Sequence, residues 1–324
     1  MKARALAALR GVAIGDALGM PTQMLSREQI AAQFGEISWF EPAADDHPLA
    51  AGMPAGSVTD DTEQALLLAD ALIAGRGMVE PHALAAALIA WEERMRARGS
   101  LDLLGPSTQR AVAAAQAGED VTLTGRYGTT NGAAMRIAPV GIATSVTDLD
   151  VLVERVVAAS LVSHNTGIAL AGAAAVAAAV SAGIEGVPGV EPAIRAARAA
   201  GRRGYWVAGA EIAARIEWAI SLADPARAQE SLDRIYRLVG TSLASQESVP
   251  AAFAVLAVFP DDPWAAVRAA AGLGGDSDTI AAMVGAIAGA QAGSDAFPDE
   301  AVALVTAVNG LRLEPLVDQL WELR

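Results

Sequence analysis

The chain has 324 residues, 53% hydrophobic and only 4% aromatic, with a formal net charge of −14 and Lys2 as its sole lysine. Its core must be built from Ala, Leu, Val and Ile, which favours helices over strands, and no basic stripe is present to neutralise a nucleic-acid backbone. The absence of cysteine excludes disulfides, thiolate metal sites and a cysteine nucleophile.

Helical spacing begins at residues 3–19, where Gly11, Gly15 and Gly19 form a small-residue face open to another backbone. Asp16 interrupts the apolar stretch after Arg10, so no secretory h-region forms and a cytoplasmic location is expected. Helices are predicted next over 60–75, 82–98, 106–117 and 148–163, the last from the stripe Leu149, Val153, Val156, Val157 and Leu161. The uncharged 166–184 stretch is long enough to raise a membrane span. Its Ala/Gly content favours a central helix packed on all sides instead, and no membrane association is expected. Further helices are predicted over 206–223, 228–243, 249–258, 263–272, 279–292 and 298–309. Pro81, Pro106, Pro225 and Pro263 sit where helices start or connections turn. Clear strands are absent; VTLT (121–124) is the best short candidate and could equally be an extended loop. Two long non-periodic stretches, 36–58 and 118–135, are of the length that loops in compact domains reserve for function. With no low-complexity linker, the expectation is one all-α domain spanning 1–324.

Two helix mouths stand out. SVTDDTEQALLLADAL (57–72) opens an apolar helix with Thr59, Asp60, Asp61 and Thr62, and GGDSDTIAAM (274–283) does the same with Asp276, Asp278 and Thr279. Asp and Thr are favoured N-caps, and acids in a first turn are stabilised by the helix dipole. That accounts for one acid per helix, and poorly for two acids and two hydroxyls beside an apolar face, twice, without a nearby cation. Burying carboxylates unpaired costs several kcal/mol or neutralises them. A hard divalent cation would resolve that cost with carboxylate and hydroxyl oxygens, and two clusters meeting would suffice for a metal pair.

GDALGMPTQ (15–23), TDDT (59–62), TNGAAMRIAP (130–139), SH (163–164) and GGDSDTIAAM occur in an order that resembles the ADP-ribosylglycohydrolase family over nearly the whole chain. LLGPSTQ (103–109), TNGAAMR and SQESVPAA (245–252) look most like a bacterial ADP-ribosylglycohydrolase-like branch. The resemblance implies an all-α orthogonal multi-helix bundle with a dinuclear Mg²⁺ or Mn²⁺ site at helix N-termini. It makes Thr59, Asp60, Asp61, Asp276, Asp278 and Thr279 the metal ligands, with Asp61 or Asp278 accepting the proton of a metal-positioned water. It also lays Asn131, Gly132 and Ala133 along the diphosphate or distal ribose of the substrate, and puts His164 on the substrate side. Alone, Asn-Gly is also a common turn. Where many members carry a glutamate, seven residues after the Asp of the GD motif, this chain has Gln23, which can orient substrate or water but cannot act as acid or base.

Outside these motifs, Asp16 is expected to hydrogen-bond loop backbone near the site, Arg136 to play a structural role, and Glu247 to line the pocket. His47 and His82 are expected at the surface. The implied reaction is hydrolysis of a ribosyl glycosidic bond, on an ADP-ribosylated protein or on a small ribosylated molecule such as an N-riboside. A non-catalytic relative that binds ADP-ribose or metal, and a dinuclear phosphoester hydrolase, are the competing readings; the latter would need phosphate-clamping cations that neither cluster has nearby in sequence.

Overall fold

The computed structural model describes residues 1–100 and 104–324; Leu103, the first residue of the LLGPSTQ stretch, lies outside them. Helix accounts for 64% of the chain, and no strand occurs among the described residues. Two isolated bridges pair Thr130 with Ala244 and Thr166 with Tyr205.

In chain order the helices are α1 (Lys2–Gly19), α2 (Arg27–Gln33), α3 (Asp60–Ala74), α4 (Pro81–Ala97), α5 (Pro106–Gln116), α6 (Gly132–Met135), α7 (Ala138–Ala143), α8 (Leu149–Ser160) and α9 (Gly167–Glu185). They continue as α10 (Val190–Ala200), α11 (Ile212–Ile220), α12 (Ala228–Arg234), α13 (Ser245–Val258), α14 (Pro263–Ala271), α15 (Ser277–Ala292), α16 (Asp299–Asn309) and α17 (Leu313–Trp321). Short helical turns at Thr124–Tyr127 and Pro225–Arg227, and a π-helical turn at Ile235–Val239, complete the set.

The architecture is organised around α1, α15 and α9. Helix α15 packs on α1, α14, α9 and α13, while α9 carries α7, α8 and α10 on its other sides. Long and apolar enough by composition to cross a membrane, α9 is instead 94% buried over its most apolar window, as a central packed helix should be. The α1–α15 contact is unusually close. A Cβ on Gly11 would stand 2.0 Å from the Gly285 carbonyl oxygen, one on Gly15 2.0 Å from that of Ala281, and one on Gly19 2.3 Å from the Asp278 Cα. Backbone meets backbone because neither helix presents a side chain there. One consequence governs the site: Asp16 and Asp278 are carried on helices that touch.

Several expectations need correction. VTLT forms turns running into the Thr124–Tyr127 helical turn, not a strand. The 118–135 stretch holds that turn and the short α6, whereas 36–58 has no helix. Residues 206–211 stay out of α11, and 228–243 divides into α12 and the π turn. Helix α13 starts four residues earlier than predicted and accommodates Pro250. Helices α2, α6, α7, α10 and α17 were not foreseen. Helix α10 shows why: its buried stripe is Ala193, Ala196, Ala197 and Ala200, which a search for large apolar residues passes over.

Gly15→Ala is expected to force the two helices apart and destabilise the protein by at least the ~1–3 kcal/mol typical of overpacking. Thermal denaturation checks this, with Gly105→Ala as the control, since a Cβ there meets nothing within 4 Å.

Candidate active site

Helix α3 is capped from outside. Thr59 is its N-cap residue in extended conformation, yet its side chain makes no capping bond. Instead the Asp16 carboxylate of α1 accepts from the Thr59 and Thr62 backbone amides at 3.0 and 3.1 Å, and from both hydroxyls. Asp16 thus bonds loop and helix-start backbone beside the cluster, as expected, and satisfies the orphan donors of the helix end. With its hydrogen committed to Asp16 at 2.7 Å, the Thr59 hydroxyl keeps lone pairs for another partner.

Helix α15 is positioned by a glycine turn. Gly274 and Gly275 have φ of +88° and +76°, a region that strains any other residue. This turn exchanges backbone bonds with the 22–25 segment, Met24 N to Gly275 O at 2.7 Å and Gly275 N to Leu25 O at 2.9 Å. The Asp276 amide then donates to Thr241 O at 2.7 Å. Asp276 is the N-cap residue but, like Thr59, its side chain does not cap its own helix. It accepts instead from Asn131 Nδ2, which also reaches Ser248 Oγ at 3.0 Å.

The two mouths meet at Asp61. Its Oδ2 accepts from Thr279 Oγ1 of α15 at 3.2 Å and lies 3.4 Å from Thr59 Oγ1, while its Oδ1 is buried with no hydrogen-bond partner. Burial first, then the charges of Asp278, Asp60, Asp16 and Asp276, drives the Asp61 carboxyl well above its ordinary value of 3.8. Burial likewise raises Asp16 and Asp276 to about 6, against the hydrogen bonds that favour their ionised forms. Asp60 accepts from Gln64 Nε2 at 2.6 Å.

A cavity of about 360 Å³ opens over this cluster. Asp60, Asp276, Asp278, Thr279, Gln23, Asn131 and Gly132 line it; Thr59 and Asp61 lie buried beneath. Ala133 and His164 do not reach the wall. Both are buried behind it, and for His164 Gly132 stands between: a Cβ on Gly132 would fall 2.9 Å from the His164 ring. Gly132 therefore clears space for an imidazole. Gln23 is buried with its Nε2 unpartnered. Sequence reasoning missed Met24, Leu49, Thr108, Gln109, Thr130, Met135 and Leu243 on the wall. Thr108 and Gln109 sit inside LLGPSTQ, and Thr130 and Met135 inside TNGAAMR, so adjacency to a motif is the available signal; Leu49 and Leu243 carry none.

Four other residues meet, refine or depart from expectation. His47 is buried: its Nδ1 accepts from Leu49 and Ala50 amides at 3.2 and 2.9 Å, and its Nε2 donates to Gln23 O at 3.0 Å. It pins the 36–58 loop to the cavity wall. His82 is exposed as expected. Glu247 does not line the cavity, because its carboxylate turns to the Ser242 amide at 3.1 Å. Arg136 is fully buried and donates to Gln64 Oε1 at 2.8 Å and Ser163 Oγ at 2.6 Å, which is the structural role expected of it. A larger groove of about 780 Å³, between α3, α4 and the end of α16, includes none of the sequence-predicted site residues.

The donor set suits a hard cation. Its oxygens are carboxylates and hydroxyls, neither helix-mouth residue is spent on capping its own helix, and Asp61 Oδ1 is buried without a partner. Among the described residues no three acidic or imidazole groups already surround one point, so any cation would draw on the threonine hydroxyls as well.

Because Asp16, Asp61 and Asp276 hold protons more tightly when folded, the metal-free protein should lose stability as pH rises from about 4 through about 6, and further as Asp61 ionises. Thermal melts of chelator-treated protein should give a higher Tm at about pH 5 than at about pH 7. Mg²⁺ or Mn²⁺ should restore the loss at neutral pH, and Asp61→Asn should flatten the profile.

The family model described as ADP-ribosylglycohydrolase matches residues 1–324. Similar sequences include Uncharacterized protein YegU of Escherichia coli (strain K12), 36% identical over 312 residues, covering 95% of this chain and 93% of that protein. An uncharacterized protein of Archaeoglobus fulgidus is 32% identical over 285 residues, covering 87% and 85% respectively. A solved structure described as an ADP-ribosylglycohydrolase-related protein complex superposes with a TM-score of 0.71 at 25% identity, over 99% of this chain and 98% of its own. A full-length family match, relatives above 30% identity and a shared all-helical fold agree: the chain belongs to the ADP-ribosylglycohydrolase family.

Proposed function

We propose that the chain is a metal-dependent hydrolase of a ribosyl glycosidic bond, with an ADP-ribosyl group as the leading substrate. The observation that carries this reading is the meeting of two acid-and-threonine helix mouths at one cavity, with side chains diverted from helix capping and Asp61 Oδ1 left unpartnered. Family membership supports glycosyl hydrolysis as the reaction class.

Thr59, Asp60, Asp61, Asp276, Asp278 and Thr279 would hold two divalent cations, Mg²⁺ or Mn²⁺, which when bound supply Lewis-acid charge that acidifies water and orients ribose hydroxyls. Asp278, on the cavity wall, takes the proton of the attacking water, whereas Asp61 lies beneath and serves to hold the centre together. The carboxylates on the wall stabilise positive charge developing at the anomeric carbon as the bond to the leaving group breaks. Gln23 and Asn131 orient the sugar. Met24, Leu49, Met135 and Leu243 provide apolar walls that keep bulk water from the reacting atoms. A cavity of about 360 Å³ is near the lower end of ligand sites, which favours a small N-riboside as the second reading.

Purified protein with Mg²⁺ or Mn²⁺, given ADP-ribosyl-arginine, ADP-ribosyl-serine and N-ribosides, should release ADP-ribose or ribose from at least one of them. Asp278→Asn should lower kcat by roughly 10²–10⁴-fold while the protein remains folded. Asp276→Ala should reduce the bound metal measured by elemental analysis. No turnover across the panel with metal bound would leave a binding protein instead.

A further inference from the structure

Behind the cavity wall runs an unbroken buried chain of polar groups. Asp60 Oδ2 accepts from Gln64 Nε2 at 2.6 Å, and Gln64 Oε1 accepts from Arg136 Nη1 at 2.8 Å. Arg136 Nη2 donates to Ser163 Oγ at 2.6 Å, Ser163 Oγ lies 2.7 Å from His164 Nδ1, and His164 Nε2 lies 3.0 Å from Thr130 Oγ1. Gln64, Arg136, Ser163 and His164 are all essentially excluded from solvent, and Thr130 is half-buried where it lines the cavity.

The direction of every hydrogen in this chain follows from one residue. A guanidinium can only donate, so Ser163 Oγ must accept from Arg136. The serine hydroxyl hydrogen then has one acceptor among the described residues, His164 Nδ1. Leaving it unmade would bury an unsatisfied donor at a cost of about 1–3 kcal/mol. With Nδ1 accepting, the proton of the neutral ring sits on Nε2 and is donated to Thr130 Oγ1. Thr130 therefore has its own hydroxyl hydrogen left over, and the cavity is where it can go. Burial and the nearby Arg136 charge hold His164 well below its ordinary value of 6.5, consistent with a neutral ring throughout.

We propose that Arg136 polarises a one-way donor chain through Ser163 and His164 that makes Thr130 a hydrogen-bond donor to an acceptor oxygen of the substrate, such as a phosphoryl oxygen. This rests on the cavity being the substrate site. Arg136, Ser163 and His164 are then positioning residues, and Thr130 is the group that reads the ligand. The same cation, through Gln64, also holds Asp60, so one buried guanidinium is linked to both an acid and a donor on the cavity wall.

Two measurements test it. In protein labelled with ¹⁵N-histidine, with the His164 signals assigned by their loss in His164→Asn, the ring should be neutral with its proton on Nε2 near neutral pH. Ser163→Ala should shift it towards a tautomer mixture. A wild-type ring protonated on Nδ1, or a cationic ring, overturns the chain direction whatever the substrate. In calorimetric titration with ADP-ribose, Thr130→Val should weaken binding about five- to tenfold, the loss of one neutral hydrogen bond, and Thr130→Ser should bind like the wild type. Unchanged affinity in Thr130→Val overturns the ligand contact. If the wild type binds no ADP-ribose, that counts against both the contact and the functional reading, while the tautomer still decides the chain.

Discussion

The site depends on a contact with no side chains in it. Helices α1 and α15 approach until a Cβ at Gly15 would overlap the Ala281 carbonyl, and the same holds reciprocally at Gly285 against Gly11. Helices separated by ordinary side chains lie about 8–10 Å apart; here that spacing is surrendered so that Asp16 and Asp278 arrive together. Asp16 then caps α3 from outside, accepting from the amides and hydroxyls of Thr59 and Thr62, which fixes the third element of the site. A small-residue stripe in the sequence thus becomes, three packing steps later, the relative placement of two acidic clusters.

Placing those clusters is electrostatically costly. Five carboxylates influence one another around Asp61, and burial opposes the ionised form of each one whose shift is resolved. The protein offsets part of this with donors: four from Thr59 and Thr62 onto Asp16, one from Thr279 onto Asp61, one from Asn131 onto Asp276, and one from Gln64 onto Asp60. The buried cation in this network, Arg136, is linked to Asp60 through the Gln64 amide. Because burial and mutual repulsion raise the cost of ionising these carboxyls, the arrangement is one that positive charge would stabilise.

Much of this was legible in the chain. The helical class followed from an Ala-rich, aromatic-poor composition, and the two acidic mouths were conspicuous because neither has a lysine or arginine close by in sequence. Other parts were hidden for physical reasons. Helix α10 escaped because its buried face is alanine, which carries no distinctive hydropathy pattern. His47 read as a surface residue because a lone histidine in a loop has no periodicity; only the fold shows two amides converging on its Nδ1. Glu247 reads as a pocket acid because it stands on an apolar helix segment, but its carboxylate accepts from the Ser242 amide and does not line the cavity.

The sequence by itself determined the all-α class, the family and the inventory of oxygen donors, since these depend on residue type and local spacing. It could not determine which of those donors face the cavity. Asp61 and Asp278 are chemically equivalent in the sequence, yet one lies beneath the floor and the other on the wall. His164 and Thr130 are separated by 34 residues, and only Thr130 reaches the cavity wall, while the His164 ring packs behind it in the space left by Gly132. The first distinction arises from helices meeting across more than two hundred residues of chain and the second from a close approach between two loops, and in both cases contact between distant segments, not local preference, sets the distances.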